Sequence, residues 1–338
     1  MRRYEKGFTI YRNGDNPVWV APHVGSSFET PTSRDWNSDT VASLCWLKQG
    51  GSLVLSTLTR KRIWGVDYNR DPPSYETAVR AYPDFVADKN RARLSKYRSK
   101  YAFVAKNKAD YTERLRIYET FWTTVGNLGS IIILIHRKFA RMKNYPSVID
   151  IVTYEGKGVD TSTIKKVLEQ INKKYFEKLF NISEQYKRFI LMDTERVCSR
   201  IKDVFGEFSL EKADAEYKHW LKDDLSTLAE LLGQDEINKL MSNFSLERFL
   251  GVVKRALSLN IKPSVTLENI FKGRKALSVK SKFFNKHFLI MEAEVNAFLG
   301  YWYPKLAADI ICDIVKLLRA AKLYAHLGIR QTKMEDFI

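Results

Sequence analysis

Cysteine is scarce in this chain: Cys45, Cys198 and Cys312 are odd in number and far apart. That excludes a disulfide framework and a cysteine-based zinc site, and it fits a reducing compartment where each thiol fills the core as a small hydrophobe. Long apolar runs are also missing. None approaches the roughly 18 residues of a membrane span. The opening Met1-Arg2-Arg3-Tyr4-Glu5-Lys6-Gly7 is charged, with no apolar stretch behind it to act as a secretory leader. The expectation is a cytoplasmic protein with no membrane partner. Internal repeats and low-complexity tracts are absent as well, which excludes solenoids.

What is present is a globular composition. The 338 residues are 45% hydrophobic and 13% aromatic, enough for one large domain with an insertion or for two domains, and too apolar for a disordered tail. The net charge is +17, and most of it sits in two places. From Lys89 to Arg116 there are ten basic residues against two acidic ones, and from Phe271 to Lys286 six against none. Such stretches can steer a nucleic acid or another polyanion onto a surface, and Tyr97, Tyr101, Phe103 and Tyr111 could add base stacking. A solvated basic helix face has the same signature, and these rings also recur at helical spacing, where they would pack inward.

Local patterning predicts an α/β fold with a mixed or mostly parallel central sheet flanked by helices, a basic helical insertion and a large helical subdomain. Strands alternate with turns from Val18–Ala21 onward. A helix capped by Asp39 or Thr40 runs to Lys48 and stops at Gly50-Gly51, and Ser52 to Thr57 reads as the next strand. The run Ile131 to Ile135 is short, wholly apolar and β-branched, which suits a strand buried on both faces, with His136 at its end. A strand at Val148 to Thr153 precedes a helix capped by Asp160 or Thr161. Leu225, Leu228, Leu231 and Leu232 recur at helical spacing in a stretch with almost no strand signal. Phe288 to Met291 is a last apolar run, and Lys305 to Leu327 a last amphipathic helix. The predicted core is 1–73, 125–180 and 287–338, with the basic insertion at 74–124 and the helical subdomain at 181–286.

Three features carry candidate chemistry. His23, in Ala21-Pro22-His23-Val24-Gly25, follows an apolar strand beside a small glycine. His136 stands at the end of another strand, so the two imidazoles can converge at one sheet edge. A carboxylate from Glu29, Asp35 or Asp39 could then complete a three-ligand site with an open position. The third feature is Phe288 to Asn296, where strand periodicity puts Ile290, Glu292, Glu294 and Asn296 on one face. Two carboxylates beside a buried run need water, a metal or a cation, and one could be a general base of raised pKa; a solvated edge strand is the alternative.

The order of these pieces resembles a known family. Pro22-His23-x-Gly25, Arg34-Asp35-Trp36-x-x-Asp39 and Thr59-Arg60 through Val66-Asp67-Tyr68-Asn69-Arg70-Asp71-Pro72-Pro73, then His136 and Glu294-Val295-Asn296, are similar to the motifs of N-formylglutamate amidohydrolases. The likeness covers residues 17 to 73, 129 to 180 and 287 to 325. It implies a zinc-dependent amidohydrolase related to zinc carboxypeptidases, cleaving an amide C–N bond in an N-formyl or N-acyl amino acid or a related carboxylate-bearing substrate through zinc-activated water. By position it implies His23, Asp35 and His136 as zinc ligands, with Glu29 a rival for the third, and Glu294 as general base. Arg70, with Arg60 or Arg62, is implied to fork a substrate carboxylate or polarise the scissile carbonyl, and Asn69 and Asn296 to touch substrate. The competing expectation is a nucleic-acid or polyanion-binding protein on a hydrolase-like scaffold with weak or no activity. Neither reading fixes the acyl group, the amine or the oligomeric state.

Overall fold

The computed structural model describes residues 2–25, 34–88, 91–205, 210–269, 271–273, 277, 280–284 and 288–326. Arg2–Glu5 (β1) and Phe8–Asn13 (β2) form an antiparallel hairpin ahead of the first strand expected from the sequence. β1 is an edge strand of the sheet, and its sequence Arg-Arg-Tyr-Glu is charged and lacks apolar alternation, as edge strands that resist further pairing often do. Val18–Ala21 (β3) then leads through Ser38–Gln49 (α1) to Gly51–Ser56 (β4), the anticipated β-loop-α-β unit. The helix begins one residue before Asp39, with Asn37 at its N-cap in the left-handed region.

Ile131–Lys138 (β5), Ser147–Val152 (β6), Ser264–Leu267 (β7) and Leu289–Asn296 (β8) complete one mixed sheet in the order β1-β2-β4-β3-β5-β8-β6-β7. The α/β class follows directly. The neighbours β4, β3, β5 and β8 are mutually parallel, while β6 runs antiparallel to β8. β5 passes beyond His136 to Lys138, so His136 is a ladder residue and not a terminus. Residues 264–267 were expected to be helical. Only Val265 of β7 is fully buried, so the strand lacks the apolar alternation that would have marked it.

The sheet is covered on both faces. Ile131, Ile133 and Ile135 join a core that includes Met291 and Ala293 and is closed by α1, by Thr161–Asn181 (α5) and by the C-terminal helix. Asp160 caps α5, its side chain accepting from the Thr163 amide at 2.8 Å. On the other face Ile132, Leu134 and Ile290 meet Phe121, Trp122 and Val125 of a long helix, Lys108–Leu128. That helix follows Tyr75–Val86 (α2) and Arg91–Lys100 (α3) and is numbered α4. The stretch expected as an insertion therefore supplies one face of the core.

Helices Ser183–Phe205 (α6), Leu210–Leu232 (α7), Gln234–Ser242 (α8) and Leu246–Ser258 (α9) extend the α5 side. Leu225 and Leu228 pack in the same continuous cluster as the sheet residues. Ala297–Trp302 (α10) and Pro304–His326 (α11) close the described chain. Among the described residues no helix is long and apolar enough to cross a membrane.

The rings interleaved with the basic stretch turn inward. Phe103 is fully buried, Tyr97 donates its hydroxyl to the Phe103 carbonyl at 2.7 Å, and Tyr111 donates to that of Pro73 at 3.0 Å. They are occupied by packing, as their helical spacing allows.

Candidate metal centre

β3 and β5 are adjacent and parallel, and the connection from β3 leads to β4 on one side while the chain after β5 builds the other. A crevice at the carboxyl ends of strands is the expected result of such a reversal in strand order. His23 lies two residues beyond β3, and the turn that holds it is cramped. A Cβ on Gly25 would stand 2.2 Å from the Leu58 carbonyl oxygen, so residue 25 must be glycine for the chain to pass. The Asp35 amide donates to the His23 carbonyl at 2.8 Å, which returns the loop to its starting point and sets the carboxylate beside the imidazole.

His23, Asp35 and His136 are buried together, with ligand atoms all within 4.8 Å of one another, and the group could hold a metal ion. Asp35 Oδ2 lies 3.4 Å from His23 Nδ1 and 3.2 Å from His136 Nδ1. Ligands bonded at ~2.0–2.1 Å in a tetrahedron are separated by about 3.3–3.4 Å, so these spacings suit such a centre. His23 Nδ1 is buried without a hydrogen-bond partner, an orphan that a cation would satisfy. The donor set of two imidazoles and one carboxylate suits zinc chemistry among others.

Both rings are oriented from behind. His23 Nε2 meets Asp67 Oδ1 at 3.0 Å, which favours the tautomer with its proton on Nε2 and its lone pair on Nδ1, toward Asp35. Asp67 is in turn held by the Asn69 amide at 3.0 Å and by Arg62 Nη2 at 2.9 Å. Its carboxyl is held far below the usual range against the effect of burial, chiefly by Arg62 and then by His23. Burial presses His23 toward the neutral form, but Asp67 and Asp35 raise its pKa overall. His136 Nε2 faces the Asn69 side-chain amide at 3.2 Å, and Asn69 Oδ1 is buried and unpartnered. Turning that amide over would let Oδ1 accept from Nε2–H and free Nδ1 of His136 for a cation.

Glu294 is the direct cross-strand partner of His136 in the β5–β8 ladder. Burial pushes its carboxyl up to about 7; His136 opposes that shift, Glu292 and Asp35 add to it, and Lys138 also opposes it. Its neighbour Glu292 has a different state. Lys280, fully buried, pairs with Glu292 Oε1 at 2.5 Å, and Tyr154 donates to the same oxygen at 2.9 Å. Burial raises the Glu292 carboxyl, yet Lys280 and then His136 bring it down to about 2. One face of one strand thus carries a committed anion and a carboxyl poised near neutrality.

The surrounding cleft has a volume of about 570 Å³, and Asp35, Arg60, Asn69, Arg70, His136 and Glu294 line it. Arg60 Nη1 lies 3.1 Å from Asp35 Oδ1, and Arg70 Nε is buried without a partner. Two expected substrate contacts, Arg62 and Asn296, are not among the residues that line the cleft. Arg62 is buried and donates to the carbonyls of Tyr101, Arg60 and Arg98, so its guanidinium is consumed by the loop and by Asp67. Asn296 is fully buried and caps α10, accepting from the Phe298 amide at 2.9 Å while donating to Tyr186. Strand periodicity placed it on the Glu294 face, but the strand ends there and its side chain serves the next helix. Asp39 pairs with Arg34, outside the three-ligand group, and Glu29 lies outside the described residues.

Residues without an assigned role also enter. Asp67 stood inside the most specific motif, so its part was available to sequence reading. Arg137 and Lys138 line the cleft directly after His136, and charges ending an apolar strand were the available signal. Lys138 is buried and its pKa falls to about 8, since desolvation outweighs Asp150 and Glu294. Lys280 had no distinguishing signal within its basic run. Compared with known proteins, the chain matches no family model, no curated protein and no solved structure.

Proposed function

We propose that this protein is a zinc-dependent hydrolase of an amide C–N bond, acting on an N-formyl or N-acyl amino acid or a related carboxylate-bearing substrate. One observation carries the reading: a buried His23, Asp35 and His136 group opens on the same cleft as Glu294, a carboxyl with a pKa of about 7. The order of motifs that resembles amidohydrolases runs through these same residues. Zinc held by the three side chains would supply Lewis acidity for activating water and polarising the scissile carbonyl.

The chain's own groups do the rest. Glu294 takes the proton of the attacking water and passes it to the leaving amine nitrogen, a task suited to a group with a pKa near the working pH. Arg60, beside Asp35, stabilises the oxyanion that develops on the carbonyl oxygen, a contact of a type worth ~3–4 kcal/mol. Arg70 forks the substrate carboxylate. Asp67 and Asn69 hold the imidazoles in place. The test is metal content with activity: about one zinc per chain, and hydrolysis of N-formyl-L-glutamate that a chelator stops and zinc restores. A protein with no stoichiometric zinc at any loading would end this reading.

A second reading, a polyanion binder on the same scaffold with weak or no activity, is supported by the side chains of Lys96, Arg98 and Lys100, all exposed on α3. Metal-free protein whose RNA affinity falls steeply with salt, and is lost when the three are changed to Glu, would favour it.

A further inference from the structure

A second cavity of about 490 Å³ adjoins the first and shares Asp35, Arg60, Arg137 and Phe139 with it. Its size suits a small organic ligand. Five arginines line it, namely Arg34, Arg60, Arg137, Arg196 and Arg200, and Asp35 is its one acidic lining residue among the described ones. Three of the five have partners: Arg34 pairs with Asp39, Arg60 with Asp35 and Arg196 with Asp193. Among the described residues Arg137 and Arg200 make no ion pair, although Arg137 feels the charges of Asp35 and Asp193. A cavity with this much fixed positive charge is built for an anion, and one carboxylate needs only one fork. A phosphate, with three terminal oxygens, can engage several guanidinium groups at once.

The rings in this wall are a separate observation. Trp36 is 45%, Phe139 54% and Tyr301 63% exposed, although large aromatic side chains ordinarily seek burial. Two of them already carry a guanidinium on their faces, Arg34 at 5.2 Å from the Trp36 ring centre and Arg137 at 5.4 Å from that of Phe139. Flat rings beside paired and unpaired arginines offer stacking as well as charge, and an aromatic base joined to a phosphate uses both.

We propose that this second cavity binds a nucleotide unit, its phosphate held by Arg137 and Arg200 and its base stacked on the exposed aromatic wall. The proposal deepens the hydrolase reading, on which it rests for one point alone: a ligand here extends from the metal centre, so the substrate would carry its nucleotide on the side of the amide that lies toward Arg137.

Calorimetric titration of the full chain with adenosine monophosphate tests it, on zinc-loaded and on chelated protein. Saturable binding of one nucleotide per chain is expected in both. Adenosine and inorganic phosphate should each bind at least about tenfold more weakly, since each lacks half of the contacts. Arg200→Gln, at an exposed residue without an ion pair, should weaken the nucleotide about tenfold while melting temperature and zinc content stay those of the parent. Trp36→Leu should weaken the nucleotide and leave inorganic phosphate unchanged.

Absence of saturable binding, equal affinity for the nucleotide and for either half, or an unaltered affinity in Arg200→Gln would each overturn the proposal. A 5′-phosphorylated single-stranded RNA decamer distinguishes the sources. If it displaces the mononucleotide with higher affinity, the unit belongs to a strand; if it binds more weakly, a free nucleotide is the ligand. Nucleotide binding in a chain that never retains zinc would sink the hydrolase reading and leave this site standing. Zinc-dependent amide hydrolysis without nucleotide binding would do the reverse.

Discussion

Asp67 lies 3.0 Å from His23 Nε2, while Asp35 stands 3.4 Å from Nδ1 of the same ring. The imidazole is therefore bracketed by two carboxylates, one that can share a cation with it and one that can only orient it.

Asp67→Asn removes the orienting charge and keeps the volume. Zinc affinity, measured by chelator competition, should fall ~10- to 100-fold, the usual effect of losing such a partner. Equal affinity in parent and variant would show that the ring needs no anion behind it.

Glu294→Gln should cut turnover by ~10² or more with zinc content unchanged. In the parent, activity needs the carboxylate, so it should rise with pH and its acid limb should lie at or below about 7, because a bound dication draws the carboxyl down from that value. The limb should vanish in the variant. A profile that keeps it would assign the titration to another group.

Arg62 and Arg70 are eight residues apart in sequence but separable by experiment. Arg62→Lys loses the ion pair with Asp67 and bonds to three carbonyls, so it should lower unfolding stability by ~1–3 kcal/mol and leave KM alone. Arg70→Lys should leave stability alone and weaken a carboxylate substrate by ~1–3 kcal/mol, read as a raised KM. The opposite pairing of effects would exchange their roles.

Lys280→Met strips Glu292 of its cation in a fully buried setting and should cost ~3–5 kcal/mol in urea unfolding. Glu292 titrates at about 2 in the folded chain against an ordinary 4.5, so its stabilisation is complete above about 4.5 and is lost as pH falls toward 2. The variant should lose that part of the acid dependence, since burial alone drives the carboxyl upward. An unchanged slope below pH ~4.5 would mean that Lys280 does not hold Glu292 ionised.

Much of this was legible because the parallel strands are buried on both faces. Ile131 to Ile135 admits few readings other than such a strand, and the position of His136 follows from it. The hairpin β1–β2 and the short strand β7 were not legible: an edge strand needs neither a continuous apolar run nor clean alternation. At the site, residue types marked the ligands, but direction did not follow from type. Arg60 and Arg62 look equivalent in sequence, and only the fold turns one into the cleft and the other into a knot of carbonyls. Asn296 is a related case: period-2 reasoning holds only while the strand lasts, and here the side chain caps the next helix.

The place of β8 in the sheet bears on how the chain is made. Among the described residues it is the last strand in sequence, yet it lies between β5 and β6 and pairs with both. Until residues 289–296 leave the ribosome, β5 and β6 each present an open edge to whatever is nearby, and the two halves of the sheet have no ladder joining them. Such edges are templates for association with other chains. A nascent chain stalled before Leu289 should thus depend on chaperone cover, and the strand that brings the candidate base also brings the halves of the sheet together.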